Sequence, residues 1–224
     1  MKDHNIILHL APFFVQFVSQ SHLNKKIIQQ QSDSFDQSFL SSSINLIHNL
    51  INNTEACRQI ANTPNFLNSL IKLTQFNFNN GTNKEEDNQS LQIRNKSRSC
   101  LDIIHTYGDE QVQVELVTNG YPRVLVNVIN TAGGSEQQDD WEIKQGLESI
   151  IKFIYVILEG RYNRGRPFPP QPVLFKSCQE QFEDEGENEE IEAQLVNKGK
   201  RLLKGQANLA KEMILNIFIE MSNT

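Results

Sequence analysis

The chain has 224 residues, of which 38% are hydrophobic and 21% charged, with 21 Lys and Arg against 27 Asp and Glu for a net charge of −6. That length fits one globular domain or two small ones and buries a core without staples, while the acidic balance disfavours a general nucleic-acid binder. Three widely spaced cysteines, Cys57, Cys100 and Cys178, form neither a disulfide framework nor a zinc pattern, so a reducing, intracellular and most simply cytoplasmic setting is expected.

The N-terminal stretch Ile6–Val18 is apolar, but Asp3 spoils a signal-peptide start and His9, Pro12 and Gln16 interrupt the run. A packed helix is predicted instead, with Pro12 in its first turn and Phe13, Phe14, Phe17 and Val18 on one face. No apolar run is long enough to span a bilayer, so no membrane insertion is expected. Residues 19–38 are polar and read as a loop holding at most a short helix. Phe39, Leu40, Ile44, Ile47, Leu50 and Ile51 recur every three or four residues and predict a long amphipathic helix. A short helix over Glu55–Ile60 follows. After the break at Asn62-Thr63-Pro64, a further stripe runs through Phe66, Leu67, Leu70, Ile71 and Leu73.

Residues 77–92 are amide-rich and charged and are predicted to be a mobile loop. A helix is expected over Ile93–Tyr107, stopped by Gly108. A short helix over Val112–Val117 and a turn at Asn119-Gly-Tyr-Pro122 follow. Val124–Ile129 is β-branched enough for a strand, but its place in the repeat described next predicts a helix. A polar insertion at 131–140 leads into Trp141–Leu158, apolar nearly all round and therefore expected at the centre of a core. Residues 161–172 read as an extended proline-rich loop, and Val173–Phe182 as a short helix. Glu180–Glu192, with eight acids, is predicted to be exposed and to pair with the basic run Lys198, Lys200, Arg201 and Lys204. The last helix, from about Ile191 to Met221, is expected to break at Gly199 and Gly205.

The chain contains 24 Asn and 20 Gln, dispersed among periodic apolar residues rather than gathered in tracts. That dispersion fits a codon-biased globular protein better than a prion-like assembly segment.

The helix order repeats. Ser42–Leu73, "SSINLIHNLINNTEACRQIANTPNFLNSLIKL", aligns with Arg98–Ile129, "RSCLDIIHTYGDEQVQVELVTNGYPRVLVNVI". Ile47-His48 falls on Ile104-His105, and Leu70, Ile71 and Leu73 fall on Leu125, Val126 and Val128. Phe153-Ile154 and Ile157 restart the pattern. "LIHNLI" and "NGYPRVLVNVI" resemble the armadillo repeat family. The resemblance covers about residues 10–160, and the spacing exceeds the usual repeat of about 40 to 47 residues by the polar insertions. It implies an all-α, armadillo-like right-handed helical solenoid of about three repeats over 1–160. A proline-rich and acidic connector over 161–190 and a C-terminal helical extension over 191–224 would follow.

The resemblance also implies a groove lined by the long helices. Members of the family that bind extended basic peptides carry Trp and Asn four residues apart there. The matching positions here are Asn45 with Asn49, Asp102 with Thr106, and Lys152 with Val156, so one Asn matches and no Trp does. A second candidate surface is Arg161-Tyr-Asn-Arg164-Gly-Arg166-Pro-Phe-Pro169-Pro-Gln-Pro172. It fits the R-x-x-P-x-x-P form of ligands that dock in aromatic grooves. The five histidines have no metal-ligand spacing, and no nucleophile elbow, phosphate loop or dinucleotide fingerprint is present. The sequence therefore predicts a non-catalytic protein scaffold or adaptor, with no metal, cofactor or small-molecule substrate and one or more proteins as partners. A peptide-binding transport receptor and an RNA-associated protein using the arginine-rich loop are the alternatives.

Overall fold

A computed structural model describes residues 11–16, 18–19, 33–51, 54–76, 84–129, 140–162, 167–196 and 201–222. Among these the regular structure is α-helical; no strand occurs, and the one β-bridge joins Arg161 to Phe168. The described residues form two compact units, one reaching Glu115 and the other beginning at Leu116.

The first unit opens with helix α1, described at residues 11–16, 18 and 19. Ala11, Phe14 and Val18 are buried, a spacing of three and four that makes one helical face. The Phe14 ring lies 5.5 Å from that of Phe66. Phe13 does not share that face and is 65% exposed, because consecutive helical residues point about 100° apart. Phe17 lies outside the described residues. Helix α2 (Asp33–Leu50) buries Leu40, Ser43, Ile44 and Ile47. Two eight-residue helices follow, α3 (Thr54–Ala61) and α4 (Phe66–Leu73), and then α5 (Lys84–Tyr107) of 24 residues. Helices α2, α3 and α4 each pack on α5.

Helix α5 begins nine residues before the point expected from apolar spacing. The polar stretch Lys84–Gln92 continues the helix N-terminally, and its buried position among residues 88–92 is the small polar Ser90; further along, the inward row is again partly polar. Ser90 and Ser97 are buried, Ser97 donates from Oγ to the Ile93 carbonyl at 2.8 Å, and buried Arg94 donates from Nη1 to the Phe76 carbonyl at 3.0 Å. Helix α6 (Glu110–Thr118) carries the chain from one unit into the next.

The second unit contains α7 (Tyr121–Ile129), α8 (Asp140–Glu159), α9 (Pro172–Asp184), α10 (Glu187–Val196) and α11 (Arg201–Ser222). Val124–Ile129 is helical and not a strand. Helix α8 is central and packs against α7, α9 and α11. The approach of α7 to α8 depends on Gly146: a Cβ there would meet Val128 Cγ1 at 2.7 Å and Ile129 Cγ2 at 2.8 Å. Phe153 meets Tyr121 edge to face at 5.2 Å, a favoured aromatic geometry.

Two expectations for the C-terminal part need correction. In the acidic run Glu180, Glu183, Asp184, Glu189 and Glu192 are exposed as expected, but Glu187 and Glu190 are buried, because α10 turns Glu187, Glu190, Ile191 and Gln194 inward at helical spacing. Gly205 does not break α11. It sits at an open position with nothing near its Cβ, and the inward row Leu203, Ala207, Ala210 and Ile214 continues past it; a lone helical glycine costs about 1 kcal/mol, less than that row gains. Gly199 lies outside the described residues. The acidic segment pairs with Lys211, whose Nζ is 2.7 Å from Glu192, and with Arg123, 2.9 Å from Asp184; Lys198 and Lys200 lie outside the described residues.

Candidate functional site

In the first unit, α2 and α5 are joined by a hydrogen bond of 3.0 Å between His48 Nε2 and Ser99 Oγ. Burial, and then the nearby charge of Lys96, hold the His48 pKa below its usual value, against a hydrogen bond with Asn49 that raises it. His48 is therefore a neutral linker at pH 7. On the outer side of α2, Asn45, Leu46 and Asn49 are exposed, whereas Asp102 and Thr106 on α5 are half-buried. His105 is buried and held by Gln113. The Gln113 Nε2 donates to the His105 carbonyl at 3.0 Å, which turns Oε1 toward the ring at 2.7 Å and assigns the proton to Nδ1. His105 thus ties α5 to α6.

In the second unit, Lys152, Tyr155 and Glu159 follow one another at three and four residues along α8 and are exposed, while Val156 is half-buried. The helix ends at Gly160, whose φ of +72° only glycine adopts without strain. The chain then folds back in a strap. Arg161 N–H donates to the Phe168 carbonyl at 2.9 Å and Phe168 N–H to the Arg161 carbonyl at 3.0 Å. The Arg161 guanidinium lies 4.8 Å from the centre of the Phe168 ring, a cation–π contact. Gln171 N–H donates to the Ile157 carbonyl of α8 at 2.8 Å, and Gln171 Nε2 to the Pro169 carbonyl at 3.1 Å.

The outward side of this strap is apolar. Pro167, Pro169, Pro170 and Pro172 are exposed, and Tyr155, Tyr162 and Val173 are 57%, 71% and 84% exposed. Arg161 points the other way: at 7% exposure it is an anchor and not an outward contact. Pro172 opens α9 in its first turn, so only the earlier prolines lie in extended backbone. Arg164 and Arg166 lie outside the described residues. The spacing Lys152, Tyr155, Glu159 within the aliphatic C-terminal half of α8 is the signal available in the sequence for an outward face there. Tyr162 and Val173 carried none.

Cys57, Cys100 and Cys178 are free and buried, and burial pushes each thiol up to about 12. They act as small apolar side chains. Among the described residues no group of His, Cys, Asp and Glu side chains is arranged to hold a metal ion, and no helix is long and apolar enough to cross a membrane. Compared with known proteins, the chain matches no family model, no curated protein sequence and no solved structure.

Proposed function

We propose that the chain is a non-catalytic protein-interaction scaffold or adaptor, a subunit of a larger assembly in the cytoplasm, built from armadillo-like repeats. The observation that carries the reading is the exposed set Tyr155, Tyr162 and Val173 beside four exposed prolines at the C-terminal end of α8. Exposed aromatic residues of this kind are enriched at the centres of protein interfaces and not on inert surfaces. The helix order supports the repeat reading. A long helix followed by two shorter ones occurs at α2–α4, α5–α7 and α8–α10, and α11 opens the pattern again, with long helices starting at residues 33, 84, 140 and 201. Repeats of this type leave each helical face to be covered by a neighbour, which suits them to binding.

The test is mild affinity purification of the full chain from extract of its own cells, with the mass and composition of the complex read out. A stoichiometric protein complex is expected, and replacing Tyr155, Tyr162 and Val173 together by Ser should lower its recovery at least tenfold. A chain that elutes alone, or a triple variant that retains its partner in full, defeats the reading. A second reading, a receptor for extended peptides, is favoured by the outward Asn45 and Asn49 on α2. It predicts micromolar peptide binding that is lost in Asn49→Ala.

A further inference from the structure

We infer that the strap Pro167–Pro172 is a preformed polyproline ligand whose partner is a domain with a groove lined by Trp and Tyr. The inference rests on the scaffold reading and names the partner's chemistry. Each proline ring fixes its own φ near −65° and holds the residue before it in extended backbone. Phe168 and Pro169 each precede a proline, so up to Pro170 local chemistry alone keeps the strap from coiling, and at Gln171 (φ −119°, ψ 65°) the backbone turns into α9. The strap's two backbone N–H groups are both used inward, Phe168 to the Arg161 carbonyl at 3.0 Å and Gln171 to the Ile157 carbonyl at 2.8 Å. An edge with no N–H left to donate cannot extend a partner's sheet, which removes strand addition as a docking mode. The Phe168, Pro169 and Gln171 carbonyls also accept within the chain, from Arg161 N–H, Gln171 Nε2 and Phe175 N–H. What faces outward is the exposed pyrrolidine rings of Pro167, Pro169 and Pro170, and the complement of that surface is aromatic faces. Lys176, exposed one turn into α9 from Pro172, adds a cation that an acidic rim would meet.

The anchoring sets the affinity. Phe168 is buried under the Arg161 guanidinium, and Gly160 lets the strap close onto the end of α8: a Cβ at Gly160 would lie 2.5 Å from the Phe168 carbonyl oxygen and 2.8 Å from Pro170 N. A segment already held in its bound shape loses less freedom on docking than a free peptide.

The probe is a panel of purified polyproline-binding domains, the two-tryptophan WW class among them, each titrated against the full chain. At least one domain should bind with a micromolar Kd. That affinity should fall at least tenfold for the double variant Pro169→Ala, Pro170→Ala, whose substitutions are exposed and should leave helix content and Tm unchanged. A synthetic peptide of residues 167–173 should bind at least fivefold more weakly than the chain, and Gly160→Ala should bring the chain toward the peptide's value. Binding by no domain of the panel, or equal binding to the double variant, overturns the inference. A chain that still purifies in a stoichiometric complex dependent on Tyr155 and Tyr162 would then keep the scaffold reading without the strap.

Discussion

Helices α5 and α8 are both long, and each packs against three other helices of its unit, α2, α3 and α4 on α5 and α7, α9 and α11 on α8, yet their inward faces differ in kind. Helix α8 turns Ile143, Leu147, Ile150, Phe153, Ile154 and Ile157 inward. Helix α5 uses Ser90, Arg94, Ser97 and His105 at a share of the same positions, interleaved with Ile93, Cys100, Leu101 and Ile104. Aliphatic burial is non-directional and tolerates small shifts. A buried polar position stabilises only while its partner is in place, and costs about 1–3 kcal/mol once the partner is lost. Unit one should therefore be the more demanding of geometry and unit two the more demanding of volume.

The largest effect expected from that contrast is at Phe153. Phe153→Ala leaves a hole against Tyr121 in the apolar interior of the second unit, and aromatic truncations of this kind cost about 3–5 kcal/mol. Urea unfolding with hydrogen exchange read at α7 and α8 would measure it. A loss under about 1 kcal/mol would mean that α8 is not the packing centre of its unit.

The polar side of the contrast is tested at Gln113. Gln113→Leu removes the acceptor of His105 Nδ1–H and the donor to the His105 carbonyl together, and should cost about 2 kcal/mol. Adding His105→Leu removes the orphaned ring and should return part of that loss, since replacing both partners by apolar groups is close to neutral. A double-mutant cycle gives the coupling. If the two single losses simply add, the pair is packing and not a hydrogen-bonded lock.

The same contrast decides what was legible in the sequence. The rows of α4, α8 and α2 from Phe39 onward follow from apolar spacing, α7 follows only from its place in the repeat, and the polar first turns of α2, Asp33–Ser38, read as loop. The start of α5, Lys84–Gln92, reads as a loop because it is charged and amide-rich and its buried Ser90 gives no apolar signal, and α10 reads as a solvated acidic run because Glu187, Glu190 and Gln194 occupy its inward row. Polarity along the chain does not reveal that a neighbouring carbonyl accepts from some of these groups, as Phe76 does from Arg94 and Ile129 from Gln194 Nε2. The strap shows the same division. Its prolines are visible in the sequence. The inward turn of Arg161 is not, since it depends on a ring seven residues away coming back beneath the guanidinium.

The smallest expected effects concern pH, and there the two units should respond in opposite senses. Glu187 is buried beside Glu183 and Glu189; burial first, and then those like charges, raise its carboxyl to about 7 from a usual 4.5. The folded chain thus holds a proton that the unfolded chain has lost across that interval. Its contribution is intact below pH 4.5 and drains away as the pH rises to about 7. His48 in the first unit has its pKa lowered from 6.5, so the unfolded chain takes the proton first and stability there falls as the pH drops below 6.5. Glu187→Gln keeps the shape without the charge, and should add about 1 kcal/mol at pH 8 while changing little at pH 4.5. Hydrogen exchange resolved by helix at pH 5 and pH 8 would read both units at once. Protection in α9 and α10 should be greater at pH 5, and protection in α2 and α5 greater at pH 8. A parent and a Glu187→Gln variant with the same dependence in α10 would show that the carboxyl reaches water, and that the polar interior of the second unit is open where that of the first is closed.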